Sequence, residues 1–345
     1  MISFQRVIRV FVLLFSLVSV SALADKVPQL RISLPPRLGA LPLALAEQWG
    51  LYEEEGVTVK VAGLPDDQAR SLALMTGAID GMVCDVVTAI LFVTSGTDIV
   101  ITGTAYCPQS GSLSLLSRSY YNITSIGDLL SRTQVGNMQK SIGIIERSDF
   151  EYHLDTLLTS LGYAVNPDRD YWGMYDTLQL ATFLSLGSVY AAVLPEPYTS
   201  YIEYYPLPGS SSPLIHLSDF EGIELLPEIV VFRREVLRES PEVVESFYRA
   251  LRKTIERINT SSREELIEAG VTEALSLFFP GTSRESIPLV VLDSLTIPYF
   301  QQPRMLSREQ FEDVVAWLNA KRYTWQHPSY EKMTTDRFIQ NDRSE

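Results

Sequence analysis

Asp66-Asp67-Gln68-Ala69-Arg70-Ser71-Leu72-Ala73-Leu74-Met75-Thr76-Gly77-Ala78-Ile79-Asp80-Gly81-Met82-Val83-Cys84-Asp85 decides the fold class, because a helix, its stop and the following strand can all be read from it. Asp66 or Asp67 supplies the side-chain acceptor that a helix N-terminus needs. The helix runs to Met75, and Gly77 suits its left-handed end. Ile79–Val83 reads as a strand, and Asp85 opens another helix that reaches Val93.

The same alternation extends outward on both sides. Leu30–Leu34 and Val57–Val61 alternate apolar and polar residues, the period of a strand. Between them Pro35-Pro36-Arg37-Leu38-Gly39 makes a turn, and Pro42–Trp49 a helix with proline in its first turn. Ile99–Thr102 is a further strand. Strands separated by single helices imply a parallel sheet of βαβ units. The order then resets. Ser112–Leu116 reads as a strand leaving the first unit, and Ile126–Leu130 as a short helix. Ser141–Ile145, Tyr171–Met174 and Val189–Val193 are strands with helices between them. Ser148-x-x-Glu151 has the spacing of a capping box at the start of a helix to Leu161. Leu207–Pro213 is a loop, and Ile229–Phe232 a strand returning to the first unit. Pro241–Asn259 places Val243, Val244, Phe247, Leu251 and Ile255 at helical spacing. Glu264–Glu268, Glu273–Phe279 and Arg308–Leu318 complete a helical C-terminal third.

Composition narrows the function classes. The net charge is −14 over 345 residues, which argues against nucleic acid, whose phosphates call for clustered Lys and Arg. Two cysteines and three histidines, far apart in sequence, leave little for a zinc site or a Ser-His-Asp assembly. Cys84 and Cys107 stand as a disulfide pair or as two free thiols; spacing alone does not choose. Met1–Arg9 is basic, Val10–Val20 apolar and Ala22-Leu23-Ala24 small, the layout of a secretory leader cut after Ala24. The expectation is export to the periplasm, with the loss of Arg6 and Arg9 making the remainder more acidic by two.

In open α/β sheets ligands bind beyond the carboxyl ends of the strands. That rule selects Arg37, Leu38, Asp66, Asp85 and Tyr106 in the first lobe, and Arg147, Ser148, Asp149, Tyr175 and Glu196 in the second. Each has a plainer role. Asp66 and Asp149 serve as helix caps, and Ser148 as a cap or a ligand contact. Asp85 follows a buried strand and needs a partner from a ligand or from the next helix. Tyr106 and Tyr175 stack on a ring or fill the core. Glu196, between Pro195 and Pro197, is a rim or hinge residue. Arg37 meets an anion or points to solvent.

Three segments carry a resemblance. Pro42–Tyr52 with Gly56-Val57-Thr58-Val59 is similar to a P-x-x-x-A-x-x-x-G-x-[FY] opening followed by G-[LV]-x-[VI]. Leu74–Gly81 is similar to an L-x-x-G-x-[IV]-D step, and Leu186–Val193 with Glu196-Pro197 to a G-x-[VI]-[DY]-A-[AG]-[VI]…E-P segment. The set resembles the substrate-binding proteins of ABC transporters for nitrate, sulfonates, taurine and thiamine-pyrimidine precursors. The resemblance implies a type II periplasmic-binding-protein fold: two α/β lobes joined by two crossovers, with C-terminal helices on lobe one. The crossovers are expected near Leu116–Tyr121 and Gly222–Val230. The implied division is a leader at 1–24, lobe one at 25–117 and 225–345, and lobe two at 118–224. It further implies hinge closure on a small molecule, a monomer, a membrane permease as partner, and no cofactor. Fungal pyrimidine synthases of the same family carry a cysteine-rich motif absent here, so a binding protein rather than an enzyme is expected. A sensor receptor is a third class. Seventeen tyrosines and acidic strand-end residues favour a heterocyclic ligand, a pyrimidine precursor or a flavin, over a sulfonate or nitrate.

Overall fold

The computed structural model describes residues 28–64, 66–133, 142–164, 171–174, 176–204, 212–279 and 289–339. The leader assignment at 1–24 and Tyr175 lie outside them. The described residues hold ten strands: β1 (Gln29–Ser33), β2 (Thr58–Val61), β3 (Gly81–Cys84), β4 (Ile99–Tyr106), β5 (Leu113–Arg118), β6 (Ile142–Ile145), β7 (Tyr171–Met174), β8 (Ala191–Pro195), β9 (Leu214–Ser218) and β10 (Glu228–Arg233). They form two five-stranded sheets, ordered β2-β1-β3-β10-β4 and β7-β6-β8-β5-β9. Each sheet is parallel except for one inserted strand. β10 runs antiparallel to β3 and β4. β5 runs antiparallel to β8 and β9.

The local chemistry follows the sequence in the first lobe. Asp66 accepts from the Ala69 N–H at 2.8 Å and caps the helix Asp67–Met75. Asp85 accepts from the Thr88 N–H at 2.9 Å and caps Val86–Thr94. β3 and β4 are buried along their whole lengths because helices cover both faces. The 20-residue helix Pro241–Thr260 lays Val244, Phe247 and Leu251 onto the first lobe, where Phe247 stacks on Tyr52 at 5.6 Å. The helix Arg308–Ala320 packs against Val86–Thr94. Residues just before it cover the free edge of β4: the Thr104 N–H donates to the Arg304 carbonyl at 2.8 Å.

Three expectations need correction. The first crossover is residues 107–112, not Leu116–Tyr121. Leu113–Arg118 pairs with β8 and β9, so it opens the second lobe rather than closing the first, and the boundary at 117 falls inside a strand. A strand's sequence shows its period but not its sheet. β9 begins directly after the Leu207–Pro213 loop, in a stretch the sequence reading leaves unassigned; its residues are half-buried or exposed, so no burial alternation marks it. The capping box at Ser148 is half formed. Ser148 Oγ accepts from the Phe150 N–H, but Glu151 accepts from the Arg147 N–H instead of Ser148's. A complete box stands at Ser262 and Glu265. Not all C-terminal helices stay on lobe one: Leu289–Ser294 packs on Tyr198–Tyr204 of the second lobe. Cys84 and Cys107 are buried free thiols.

Candidate ligand-binding site

Arg37 comes from the turn after β1, and Asp149 is the first residue of the helix Asp149–Ser160 after β6. The two meet between the lobes in a two-point pair, 2.6 and 2.9 Å, the geometry that makes arginine–carboxylate contacts strong. Beside them the Leu38 N–H donates to the Glu196 carbonyl at 3.2 Å, also across the gap. A cavity of about 320 Å³ opens next to these contacts. Its lining includes Arg37, Leu38, Tyr106, Asp149 and Glu196 from the sequence expectations.

The other expected residues lie elsewhere. Asp66 serves its helix cap and does not line the cavity. Asp85 borders a small space behind Arg37, about 20 Å³. Ser148 is buried in its cap, its hydroxyl donating to the Ile145 carbonyl at 2.6 Å. Arg147 is 60% exposed and lies over the Tyr323 ring at 4.9 Å.

Glu228 and His153 also line the cavity, and sequence reasoning passed over both. Glu228 starts β10. Because that strand runs against its neighbours, its first residue sits where the carboxyl ends of β3 and β4 lie. The strand-end rule looks only at last residues. His153 stands four residues after Asp149, on the same helix face, and that spacing was its available signal. Its Nε2 accepts from the Leu226 N–H at 3.2 Å, which places the proton of a neutral ring on Nδ1.

Electrostatically the site is rich in acceptors. Asp149, Glu196 and Glu228 line the cavity, and Arg37 is the single lysine or arginine among its described lining residues. Burial pulls the Arg37 guanidinium down, but attraction to Asp149 outweighs it, and the group stays charged. Burial pushes the Glu228 carboxyl up to about 7; Arg37 opposes this and Asp149 adds to it. Burial and repulsion from Asp149 raise Asp85 to about 6. Burial raises Glu196, against hydrogen bonds from the Ser200 hydroxyl and N–H. Burial lowers His153 to about 4, so its ring is neutral near pH 7.

A pH dependence follows. Folded Glu228 holds its proton from about pH 4.5 to 7, where an unfolded glutamate has lost it. Stability therefore falls as pH rises through that window. His153 acts in the opposite sense between about 4 and 6.5. Glu228→Gln isolates the first effect. Relative to the parent, the variant is expected to gain on the order of 3 kcal/mol between pH 5 and pH 8. Urea unfolding at the two pH values measures it, and equal differences at both would contradict the assignment.

A second polar contact ties the lobes together. Lys321 follows the helix Arg308–Ala320 and is 1% exposed; its Nζ lies 2.7 Å from Glu151 and 3.1 Å from Asp155 on the second-lobe helix. The Tyr323 hydroxyl donates to Glu151, and Trp317 Nε1–H and the Tyr171 hydroxyl donate to Asp155.

Two sheets of this order, with one inserted antiparallel strand each and a cavity between them, define the periplasmic-binding-protein fold. Solved structures agree. The chain superposes on the alkanesulfonate-binding protein SsuA from Xanthomonas axonopodis pv. citri, bound to MOPS, with TM-score 0.70 at 19% identity, over 90% of this chain and 99% of that one. For the aliphatic sulphonate binding protein SsuA from Escherichia coli the values are 0.62 and 17%, over 89% and 97%. For the periplasmic nitrate-binding protein NrtA from Synechocystis PCC 6803 they are 0.67 and 12%, over 91% and 88%. These neighbours are the kinds of protein that the sequence motifs resemble. No family model and no curated protein matches the chain. Among the described residues no helix is long and apolar enough to cross a membrane.

Proposed function

We propose that the chain is an extracytoplasmic solute-binding protein of an ABC importer, capturing a small heterocycle with N–H donors between its lobes. In this reading the leader is removed after Ala24, the carrier diffuses freely as a monomer, and a membrane permease receives the ligand. The protein binds its cargo and does not transform it. One observation carries the ligand class: the single cation among the cavity's described lining residues is already paired on two points with Asp149, beside Glu196 and Glu228. An anion entering this cleft has to displace Asp149 from Arg37; a donor-bearing ring does not. A cavity of about 320 Å³ lies within the range of small-molecule sites.

The structural neighbours named for sulfonate and nitrate binding favour a second reading, an anionic ligand on Arg37. Thermal-shift screening against pyrimidines, riboflavin, taurine, alkanesulfonates and nitrate separates the two. The expected result is a rise in melting temperature with pyrimidines or riboflavin. A rise with sulfonates or nitrate alone would replace the first reading by the second.

A further inference from the structure

Among the described residues, two buried polar atoms beside the cavity have no partner: Glu228 Oε2 and His153 Nδ1. An unmade hydrogen bond at a buried group is costly, so such atoms are rare unless something else satisfies them. Their chemistry is opposite. The Leu226 N–H occupies His153 Nε2, so Nδ1 of the neutral ring is a donor. Once ionised, above about pH 7, Glu228 Oε2 is an acceptor, and it is held in place. A Cβ added to Gly39 would sit 2.6 Å from it and 2.5 Å from the Tyr106 ring, so the glycine is what makes room for this carboxyl. His153 is held just as firmly, with its ring edge-on to Tyr152 at 5.4 Å and to Phe220 at 6.4 Å. The site thus presents one fixed acceptor and one fixed donor from opposite lobes.

Building on the cleft reading, we propose that Glu228 and His153 are the specificity-determining pair: Glu228 accepts from an exocyclic amino group of the ligand, and His153 donates to a ring nitrogen. The ligand class is an amino-substituted nitrogen heterocycle. Because the two residues belong to different lobes, such a ligand completes both hydrogen bonds only when the lobes are together. Selectivity and closure then have the same origin. A site built to accept an N–H rejects an analogue of equal shape that lacks it, because the carboxyl is left unpaired.

The test compares 4-aminopyrimidine with 4-methylpyrimidine by calorimetric titration of the full mature chain at pH 8, where Glu228 is ionised. The parent is expected to prefer the amino compound at least tenfold. Glu228→Met should abolish that preference, whereas His153→Phe should weaken both compounds about tenfold and leave the ratio intact. Circular dichroism of each variant establishes that it is folded, and Glu228→Leu is a second variant without an acceptor if Glu228→Met is not. Preference retained in folded Glu228→Met or Glu228→Leu, or affinity unchanged in His153→Phe, overturns the pair while leaving the cleft reading in place. Failure of both pyrimidines to bind the parent, with taurine or nitrate binding, overturns the heterocycle reading itself and the pair with it.

Discussion

Replacing Lys321 with alanine is expected to lower the melting temperature by on the order of 10 °C and to loosen one lobe from the other. The lysine Nζ is the cation for two carboxylates that are themselves 1–2% exposed. Both acids have neutral donors as well: Tyr323 and the Arg147 N–H on Glu151, Trp317 and Tyr171 on Asp155. Those donors help a charge but do not neutralise it. Removing one partner of a buried ion pair leaves the other charge in a poor solvent, at a cost of about 3–5 kcal/mol. At about 2–4 °C per kcal/mol for domains of this size, the melting shift follows. The contact joins helices of different lobes, so the loss should also appear as a larger radius of gyration in small-angle scattering. Arg308→Ala is the control, since its pair with Glu331 is solvent-exposed and such pairs add little to stability. A Lys321→Ala variant that melts like this control would show that the contact does not hold the lobes.

Arg37→Ala is expected to cost a similar amount, about 3–5 kcal/mol, by the same mechanism at the other contact. Here the exposed consequence is repulsion. Arg37 is the attraction that offsets Asp149 and Glu228 at the cavity and Asp85 in the small space behind it. Without it, Asp149 is a buried carboxylate at the start of a helix, with only that helix's positive end to face. Asp149→Ala in the same chain removes the stranded charge. The double variant should therefore be more stable than Arg37→Ala alone, which urea unfolding of the two variants tests. Additive losses would mean that the two side chains do not act as a pair.

The lobes were legible because each strand–helix step carries its own punctuation. Asp66 and Asp85 cap as their positions suggest, and Gly77 ends its helix with a positive φ of 74°. What period and punctuation do not encode is the neighbour a strand chooses. Leu113–Arg118 has a strand's pattern whichever sheet it joins, and that one ambiguity displaced the first crossover. The site shows the same division. Arg37, Leu38, Tyr106, Asp149 and Glu196 follow parallel strands and fall to the strand-end rule. Glu228 is the first residue of its strand, and only knowledge that β10 runs backwards would bring it to the same end. Arg147 satisfies the rule but turns outward, with a φ of 57°, toward Tyr323.

The position of β10 between β3 and β4 also imposes an order on folding. The strands of the second sheet lie in one uninterrupted stretch, Leu113 to Ser218. The first sheet is interrupted at its middle until Glu228–Arg233 arrives. A nascent chain halted after residue 218 would hold one finished sheet and another with a gap one strand wide. Vectorial synthesis therefore supplies every strand of the second sheet before the last strand of the first, although the first lobe starts the chain.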